Sequence, residues 1–472
     1  MLNKKALLRI FMLMVFVLGA CAPAATEAPA TPAPATEAPA TEAPAAEATE
    51  APAEQPAVQE LNILWAQWDP ADYLQQVANT YEQETGIKVN IIQEPWGSFG
   101  DRFFTEMAAG GDAWDMVVGD SQWLGQGATQ GHYLDITDFL VGEGIDKTVT
   151  PATLSSYGEY PTGSGTYYAY PTEGDADGWA YRKDLFEDPA EMAAFEAEYG
   201  YALAPPETYE QLRDIAMFFT RPDDGLYGLA IYTQADYDAL TMGVENAFFS
   251  FGGQWQDENN NVIGVVNSPE AIAGVEFYRS LYECCQAPGL SNAFFTEVND
   301  AFTGGKVAMA MNYFAFFPAL VNPQTNPHAD GTGFFVNPAG PNGDQYAALG
   351  GQGMSIISYI SPERQEASKD FIRWFAQEDI QVEWARAGGY TCNINVLGSD
   401  EFLNATPYNA AFAETMTFVK DFWNVPVFGE LLLVAQTELG KYIVNGEGTA
   451  EETMNAIAEQ HDAILTEAGL KK

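Results

Sequence analysis

Tryptophan and polar side chains follow three apolar runs that predict β-strands. The runs are 61–65, 87–92 and 115–119, and two segments with helical spacing, 72–85 and 99–109, lie between them. Because the carboxyl ends of parallel strands meet at one edge of a sheet, the side chains that follow these strands are expected to lie together. They are Trp65, Gln67, Trp68 and Asp69, then Glu94 and Trp96, and finally Asp120, Gln122 and Trp123.

These residue types suit a ligand that has an apolar face and a rim of hydroxyl groups. Flat aromatic rings cover C–H faces at a low cost in entropy, and carboxylates and amides exchange hydrogen bonds with hydroxyls. A carboxylate accepts stronger hydrogen bonds than a neutral group, so a hydroxyl loses little on leaving water. The pattern therefore predicts carbohydrate binding at this edge of the sheet.

Residues that could serve catalysis form no recognisable set. The three histidines, His132, His328 and His461, are scattered, and neither a His-Glu-x-x-His nor a Gly-x-Ser-x-Gly motif occurs. The segment 300–307 lacks the first Gly and the Ser/Thr of a phosphate loop, and 257–268 lacks the Gly and the closing Glu of a calcium loop. We expect no enzymatic activity, no catalytic residue, no cofactor and no metal.

The charge balance excludes some partners. The chain has 20 Lys and Arg against 66 Asp and Glu, a formal net charge of −46, which argues against nucleic acid or anionic lipid as a partner. Solubility outside the cell is the favoured explanation, and a cationic ligand is left open. Aromatic residues are abundant, with 10 Trp, 23 Tyr and 29 Phe, and some of them are expected at a working surface.

The first 20 residues have the order of an export signal. Lys4, Lys5 and Arg9 precede an apolar run, 10–18, that is shorter than the ~20 residues needed to span a bilayer. The run ends in Leu-Gly-Ala before Cys21, which resembles the lipobox of bacterial lipoproteins. That resemblance implies cleavage after residue 20 and a lipid on Cys21, with the mature protein outside the cytoplasm and tethered to a membrane, on its outer face or in a periplasm.

Residues 21–58 predict a disordered stalk. The segment consists almost entirely of Ala, Pro, Thr and Glu and has no aromatic residue, so it cannot bury enough apolar area to offset the entropy of ordering. The remaining chain, roughly 410 residues, exceeds the size at which single cores stop growing, so two lobes are expected. Strands that alternate with helices predict an α/β fold.

Several motifs resemble those of extracellular solute-binding proteins of ABC importers, in particular the carbohydrate-binding group. A Tyr-Pro pair at 170–171 leads to Trp-Ala-Tyr-Arg-Lys-Asp-Leu-Phe at 179–186, where Arg182 replaces the usual Asn of the family. Phe-Thr-Gly-Gly-Lys-Val-Ala-Met at 302–309 and the Gly-Gly strand at 350–356 are similar to two further family motifs. The helix predicted at 367–376 also matches the family order.

The resemblance implies a two-lobed periplasmic-binding-protein-like fold, with mixed sheets flanked by helices and discontinuous lobes joined by hinge strands. The N-terminal lobe is expected to comprise 59–174 and 346–388, and the C-terminal lobe 175–345 and 389–472. Ligand is expected between the lobes, which close about hinges near 173–177, 341–346 and 388–393.

Further ligand contacts are expected from the second lobe and from the strands that cross between lobes. Asp175 aligns best with the family's ligand-binding hinge carboxylate, and Glu173 is the second choice. The aromatic position after the 302–309 motif is occupied by Ala315, and its neighbours Phe314 and Phe316 are left open between core and ligand contact. The other candidates are Tyr232, Trp255, Tyr313, Gly351, Gln352 and Tyr390.

Three cysteines lie in the folded region, Cys284, Cys285 and Cys392. Adjacent cysteines rarely bridge each other, so one of the pair is a candidate to join Cys392 in an oxidising compartment. Whether any bridge forms is left open.

The predicted function is capture of a mono- or oligosaccharide and its delivery to an ABC permease, by a monomer anchored to the membrane only through lipid. Two alternatives are kept. One is a binder of peptides or cationic solutes for the same kind of importer, and the other is a lipid-anchored glycoside hydrolase that uses paired acids such as Glu173 and Asp175.

Overall fold

The computed structural model describes residues 58–471. The predicted export signal, lipidated Cys21 and most of the predicted stalk therefore lie outside the described residues. The strands are β1 (Glu60–Ala66), β2 (Lys88–Glu94), β3 (Met116–Asp120), β4 (Ala169–Arg182), β5 (Tyr227–Ala230), β6 (Val307–Tyr313), β7 (Thr332–Phe335), β8 (Ala347–Ile356) and β9 (Val419–Lys420).

Helices fill the connections between these strands, and several short ones interrupt the longer loops. In chain order they are α1 (Asp69–Thr85), α2 (Trp96–Ala108), α3 (Leu124–Thr129), α4 (Thr137–Glu143), α5 (Pro151–Tyr157), α6 (Lys183–Phe186), α7 (Pro189–Tyr199), α8 (Tyr209–Phe219), α9 (Ala239–Ser250), α10 (Pro269–Cys285), α11 (Phe295–Thr303), α12 (Pro318–Val321), α13 (Pro362–Phe375), α14 (Glu378–Ala387), α15 (Ile394–Leu397), α16 (Asp400–Leu403), α17 (Asn409–Thr415), α18 (Phe428–Leu439) and α19 (Ala450–Glu467).

The first five elements follow the pattern that the sequence predicts. β1 pairs in parallel with β2 and β3, and α1 and α2 connect them. The helix α1 ends at Gly86, whose φ of 75° lies in the left-handed region that glycine adopts without steric cost. The carboxyl ends of β1, β2 and β3 consequently meet at one edge of the sheet.

Two long strands, β4 and β8, connect two groups of strands in the order β2-β1-β3-β8-β4-β6-β5. The first half of β4 pairs with β8, from Ala169 opposite Ser355 to Ala176 opposite Leu349. Its second half pairs with β6, beginning at Asp177 opposite Tyr313, and with β7. We call the part built on β1–β3 the first lobe and the part built on β5–β7 the second lobe. The sheet is mixed, as the family resemblance implies.

Helices that follow β8 return to both lobes. α13 and α14 pack against β1, β8 and α1 in the first lobe, whereas α18 and α19 pack with α9 and α10 in the second lobe. Each lobe is therefore assembled from separate parts of the chain. The boundaries 59–174 with 346–388, and 175–345 with 389–472, stay a prediction.

The cysteines pair differently from the expected arrangement. Cys284 and Cys285 form a disulfide at the end of α10, while Cys392 is free and buried. Cys392 packs instead at the strand that crosses between the lobes, where a Cβ added to Gly174 would lie 3.1 Å from its Sγ. The candidate bridge to Cys392 is thus corrected.

Across residues 58–471, every helix is either too short or too polar to cross a bilayer.

Candidate ligand-binding site

A cavity lies between the two lobes, and it encloses about 530 Å³ including its mouth. Its lining comes from the strand ends of the first lobe, from the crossing strands and from loops of the second lobe. The lining residues are Trp68, Trp96, Asp120, Ser121, Gln122, Asp175, Tyr237, Asp238, Met242, Phe294, Phe295, Tyr313, Phe316, Leu349, Gly350, Gly351 and Gln352.

The wall from the first lobe is formed where the parallel strands end. Trp68 follows β1 and Trp96 follows β2, and their rings meet edge to face with centroids 5.3 Å apart. Asp120 and Gln122 follow from β3. The structure brings these four predicted residues together at the cavity.

The wall from the second lobe is also aromatic. Phe316, which follows β6, stacks on Phe295 with ring centroids 4.2 Å apart. Its ring lies 6.4 Å from that of Trp68, and the ring of Tyr237 lies 5.5 Å from that of Trp96. Aromatic faces from both lobes therefore meet across the cavity.

The crossing strands form the floor. Asp175, on β4, accepts hydrogen bonds at Oδ1 from the backbone N–H of Ala176 at 2.9 Å and of Ala315 at 3.2 Å. On β8, Gly350 makes room for Tyr313, because a Cβ at this glycine would lie 2.5 Å from the Tyr313 ring. Asp175, Tyr313, Gly351 and Gln352 were all predicted at the site, and all line the cavity.

A chain of hydrogen bonds fixes the polar groups of the floor. The indole N–H of Trp65 donates to Gln352 Oε1, and Gln352 Nε2 donates to Asp120 Oδ1 at 2.8 Å. The hydroxyl of Tyr237 donates to the other oxygen of Asp120. Asp120 is thus held by partners from both lobes.

Burial shifts the acid–base behaviour of the cavity carboxyls. Desolvation raises the pKa of Asp120 to about 6, although the hydrogen bonds from Tyr237 and Gln352 lower it. Desolvation also raises the pKa of Asp175 and of Asp238 well above the usual range. These shifts show that the carboxyls are held in an apolar setting that penalises their charged form.

Four residues that the sequence analysis expects at the site from the first lobe lie outside the cavity lining. Trp65 is fully buried in the core, outside the cavity lining. It lies within β1, which extends through Ala66, and not after the strand as expected. Trp123 packs in the core, with its ring centroid 4.7 Å from that of Phe99. Gln67 and Asp69 are exposed, because they lie where the chain turns from β1 into α1.

Four further candidates lie behind the cavity walls. Tyr232 is buried beside Tyr313, and Tyr390 donates its hydroxyl to a backbone carbonyl in the second lobe. Glu173 is buried outside the cavity lining and accepts a 3.1 Å hydrogen bond from the backbone N–H of Tyr390. Trp255 packs between other rings beside a separate recess, and its indole donates to Glu245. None of the four residues lines the cavity, and their contact with ligand stays a prediction.

Most residues of the second-lobe wall are not among those predicted from the sequence. A run of acid, aromatic and acid at 236–238, directly before a helix, is a signal that could have indicated two of these residues. Phe316, left open between core and ligand, lines the cavity, whereas Phe314 is fully buried. The lining residues not predicted are Ser121, Tyr237, Asp238, Met242, Phe294, Phe295, Leu349 and Gly350.

Within residues 58–471, no group of three or more His, Cys, Asp or Glu side chains is arranged to hold a metal ion.

Comparisons with known proteins agree with this architecture. The pattern of the family described as bacterial extracellular solute-binding protein matches residues 67–382. A probable ABC transporter-binding protein of Deinococcus radiodurans is 24% identical over 345 residues, which cover 72% of this chain and 77% of that protein. The mannitol-binding protein of Pseudomonas aeruginosa is 26% identical over 215 residues, or 44% of this chain and 45% of that protein.

A solved structure supports the same two-lobed fold. Maltose-bound MalE3 of T. maritima aligns with a TM-score of 0.73 and 24% sequence identity, and the alignment covers 86% of this chain and 100% of that chain.

Proposed function

The chain belongs to the bacterial extracellular solute-binding proteins, and we propose that it captures a mono- or oligosaccharide between its lobes and delivers it to the permease of an ABC importer. The observation that carries this proposal is the cavity between the lobes, where aromatic faces stand beside hydrogen-bonding side chains. Trp68 and Phe316 suit the C–H face of a sugar, and Asp120 and Gln352 suit its hydroxyl rim. The relatives named for mannitol and maltose support this choice.

The same family membership gives an extracytoplasmic location. The finer statement, that a lipid on Cys21 anchors the mature protein and that 21–58 act as a stalk, is a proposal that rests on the sequence alone. The protein would then act as a monomer held at the membrane close to its permease.

Delivery requires the lobes to open and close, and we assign the hinge to 173–177, 341–346 and 388–393. Two of these segments are joined by backbone hydrogen bonding, since the N–H of Gly174 donates to the carbonyl of Tyr390 at 2.7 Å. Bound ligand contacts both walls and therefore favours the closed arrangement.

Two rival functions, glycoside hydrolysis and peptide capture, are less well supported by the geometry. The hydrolase would use Glu173 with Asp175, yet only Asp175 lines the cavity. A peptide binder needs a groove that recognises backbone groups, whereas this cavity is lined mainly by aromatic rings. The relatives from Deinococcus radiodurans and Pseudomonas aeruginosa are named as binding proteins, which also favours capture without chemistry.

A thermal-shift screen of the purified protein would test the proposal. Ligand raises apparent stability by mass action, so a sugar or polyol should raise the melting temperature in a dose-dependent way, while Trp68→Ala should reduce the shift. Stabilisation by oligopeptides alone, or hydrolysis of a glycoside that Asp175→Asn abolishes, would overturn it.

A further inference from the structure

The cavity concentrates carboxylates and contains no basic side chain. Asp120, Asp175 and Asp238 reach it from three different elements, and its lining includes no Lys, Arg or His. In the part of the chain that the structure describes, no ion pair involves any of the three. Buried carboxylates without a cation are costly, because the protein interior replaces water poorly. The walls of the cavity could therefore accommodate a positive charge, and no side chain of the lining supplies one.

Asp238 has unused hydrogen-bonding capacity at this cavity. Its side chain is 2% exposed and lines the cavity next to the N-terminus of α9. Oδ2 accepts a hydrogen bond from Gln122 Nε2 at 3.1 Å, whereas Oδ1 has no hydrogen-bond partner among residues 58–471. A buried oxygen without a donor is rare in folded proteins, and it fits a donor that a ligand supplies.

The aromatic walls favour the same kind of ligand. The faces of Trp and Tyr attract a cation that lies within ~6 Å of the ring, and Trp96 and Tyr237 stand together beside Asp120. The carboxylates are not grouped to hold a metal ion, so the cation that they suit is organic. Because Asp238 Oδ1 lacks a hydrogen-bond donor, a primary ammonium, which carries N–H groups, fits it and a quaternary ammonium does not.

We propose that the ligand is an amino sugar or an amino polyol, whose protonated amine is bound between Asp238 and Asp120 while its carbon skeleton lies against Trp68 and Phe316. This inference rests on the proposed function of the same cavity. The charge on the ligand offsets the charge of the carboxylates, and the hydroxyls of the ligand use the remaining acceptors. A neutral sugar of the same shape supplies no such charge.

Titration calorimetry with matched probes tests the inference. Each set contains an amino sugar, its parent sugar and its N-acetyl form, in the gluco, galacto and manno configurations. Glucamine and sorbitol form a fourth, acyclic pair. In at least one set, we expect the ammonium form to bind about tenfold to a hundredfold more tightly than its neutral counterparts, the scale of hydrogen bonds to charged groups.

Variants of the full chain distinguish an effect of the carboxylate charge on affinity from a loss of folding. Asp238→Asn keeps the shape but removes the charge, so the ratio of the affinity for the ammonium form to the affinity for its neutral counterpart should fall towards one. Asp223→Asn makes the same change at an exposed position away from the cavity and should keep the preference. If Asp238→Asn does not fold by circular dichroism, Asp120→Asn provides the second test.

The outcomes distinguish this inference from the proposed function. Equal binding of neutral and ammonium forms would overturn the inference and leave carbohydrate capture intact. Binding of spermidine or choline, with no sugar bound, would overturn both. Failure of the whole panel, together with maltose and mannitol, would also overturn both.

Discussion

Gln122 and Asp238 are joined by a 3.1 Å hydrogen bond from Nε2 to Oδ2, although 116 residues separate them in the chain. Gln122 follows β3 in the first lobe, and Asp238 precedes α9 in the second lobe. A second bond, from the hydroxyl of Tyr237 to Asp120, runs parallel to it. The lobes therefore contact each other through polar groups of the cavity itself, and these contacts can hold the closed arrangement before ligand binds.

Removal of one of these contacts should favour the open arrangement. Tyr237→Phe deletes the hydroxyl that donates to Asp120, a hydrogen bond to a charged group worth about 1.5–3 kcal/mol. The radius of gyration from solution scattering should increase without ligand and return towards the original value at saturating ligand. Tyr282→Phe, on α10 and outside the cavity lining, is the control. An unchanged scattering curve for Tyr237→Phe would contradict the role of this bond.

Two tryptophans should respond in opposite ways to replacement by alanine. Trp68→Ala removes an aromatic face of the cavity and should weaken ligand binding by about 1.5–3 kcal/mol, with a small effect on folding. Trp255→Ala removes a buried ring and should lower the free energy of unfolding by about 3–5 kcal/mol, with affinity retained in the folded fraction. Calorimetry and urea denaturation measure the two effects. Loss of affinity in Trp255→Ala alone would return this residue to the site.

Alanine substitutions at two glycines should separate the cost of backbone strain from the cost of steric crowding. Gly351 has a φ of 94°, and a Cβ there would lie 2.2 Å from the carbonyl oxygen of Glu173. Gly343 has a φ of 84°, and a Cβ there meets nothing within 4 Å. Gly343→Ala should cost about 1 kcal/mol of unfolding free energy, and Gly351→Ala clearly more. Equal losses in chemical denaturation would show that the strands adjust without cost.

Stability should fall as the pH rises from 6.5 to 8. Desolvation raises the pKa of Asp421 to about 7, and the hydrogen bonds from Phe422 and Ser121 lower it, while the charge of Asp120 raises it. Between the unfolded pKa near 4 and the folded value, the folded protein binds more protons than the unfolded chain, so the free energy of unfolding decreases with pH. The carboxyls with a raised pKa are Asp120, Glu173, Asp175, Asp177, Asp238, Glu245 and Asp421.

The histidines have the opposite effect, since they make the free energy of unfolding rise with pH, but only at lower pH. Burial lowers the pKa of His132, His328 and His461, so their effect is confined below the unfolded histidine pKa of about 6.5. Urea denaturation at constant ionic strength should show a loss of about 1 kcal/mol or more between pH 6.5 and pH 8, and Asp421→Asn should reduce it. Stability that rises over this interval would contradict the assignment.

Membrane attachment should depend on Cys21. Mass spectrometry of the mature N-terminus is expected to find a diacylglyceryl or triacyl group on this cysteine, since the predicted export signal ends there. Cys21→Ala should move the protein from the membrane fraction to the soluble fraction. An unmodified mature chain that starts at another residue would contradict the prediction.

The sequence by itself determined the local elements and one wall of the site. Hydrophobic spacing is set within a few residues, so the first three strands and their helices could be predicted from it, together with the edge where Trp68, Trp96 and Asp120 meet. It could not decide which of two nearby rings faces the ligand. Trp65 and Trp68 lie three residues apart, and the point at which β1 ends sends the first into the core and the second to the cavity.

The tertiary structure decided the second wall and the partners of the carboxylates. Tyr237 lies 117 residues from its partner Asp120, and Gln352 lies 287 residues from Trp65. Contacts at such separations leave no periodic trace in the sequence, because they depend on how the crossing strands β4 and β8 orient one lobe against the other. The cavity exists only where both lobes meet, so its apolar setting and its set of carboxyls without a basic partner are properties of the folded chain.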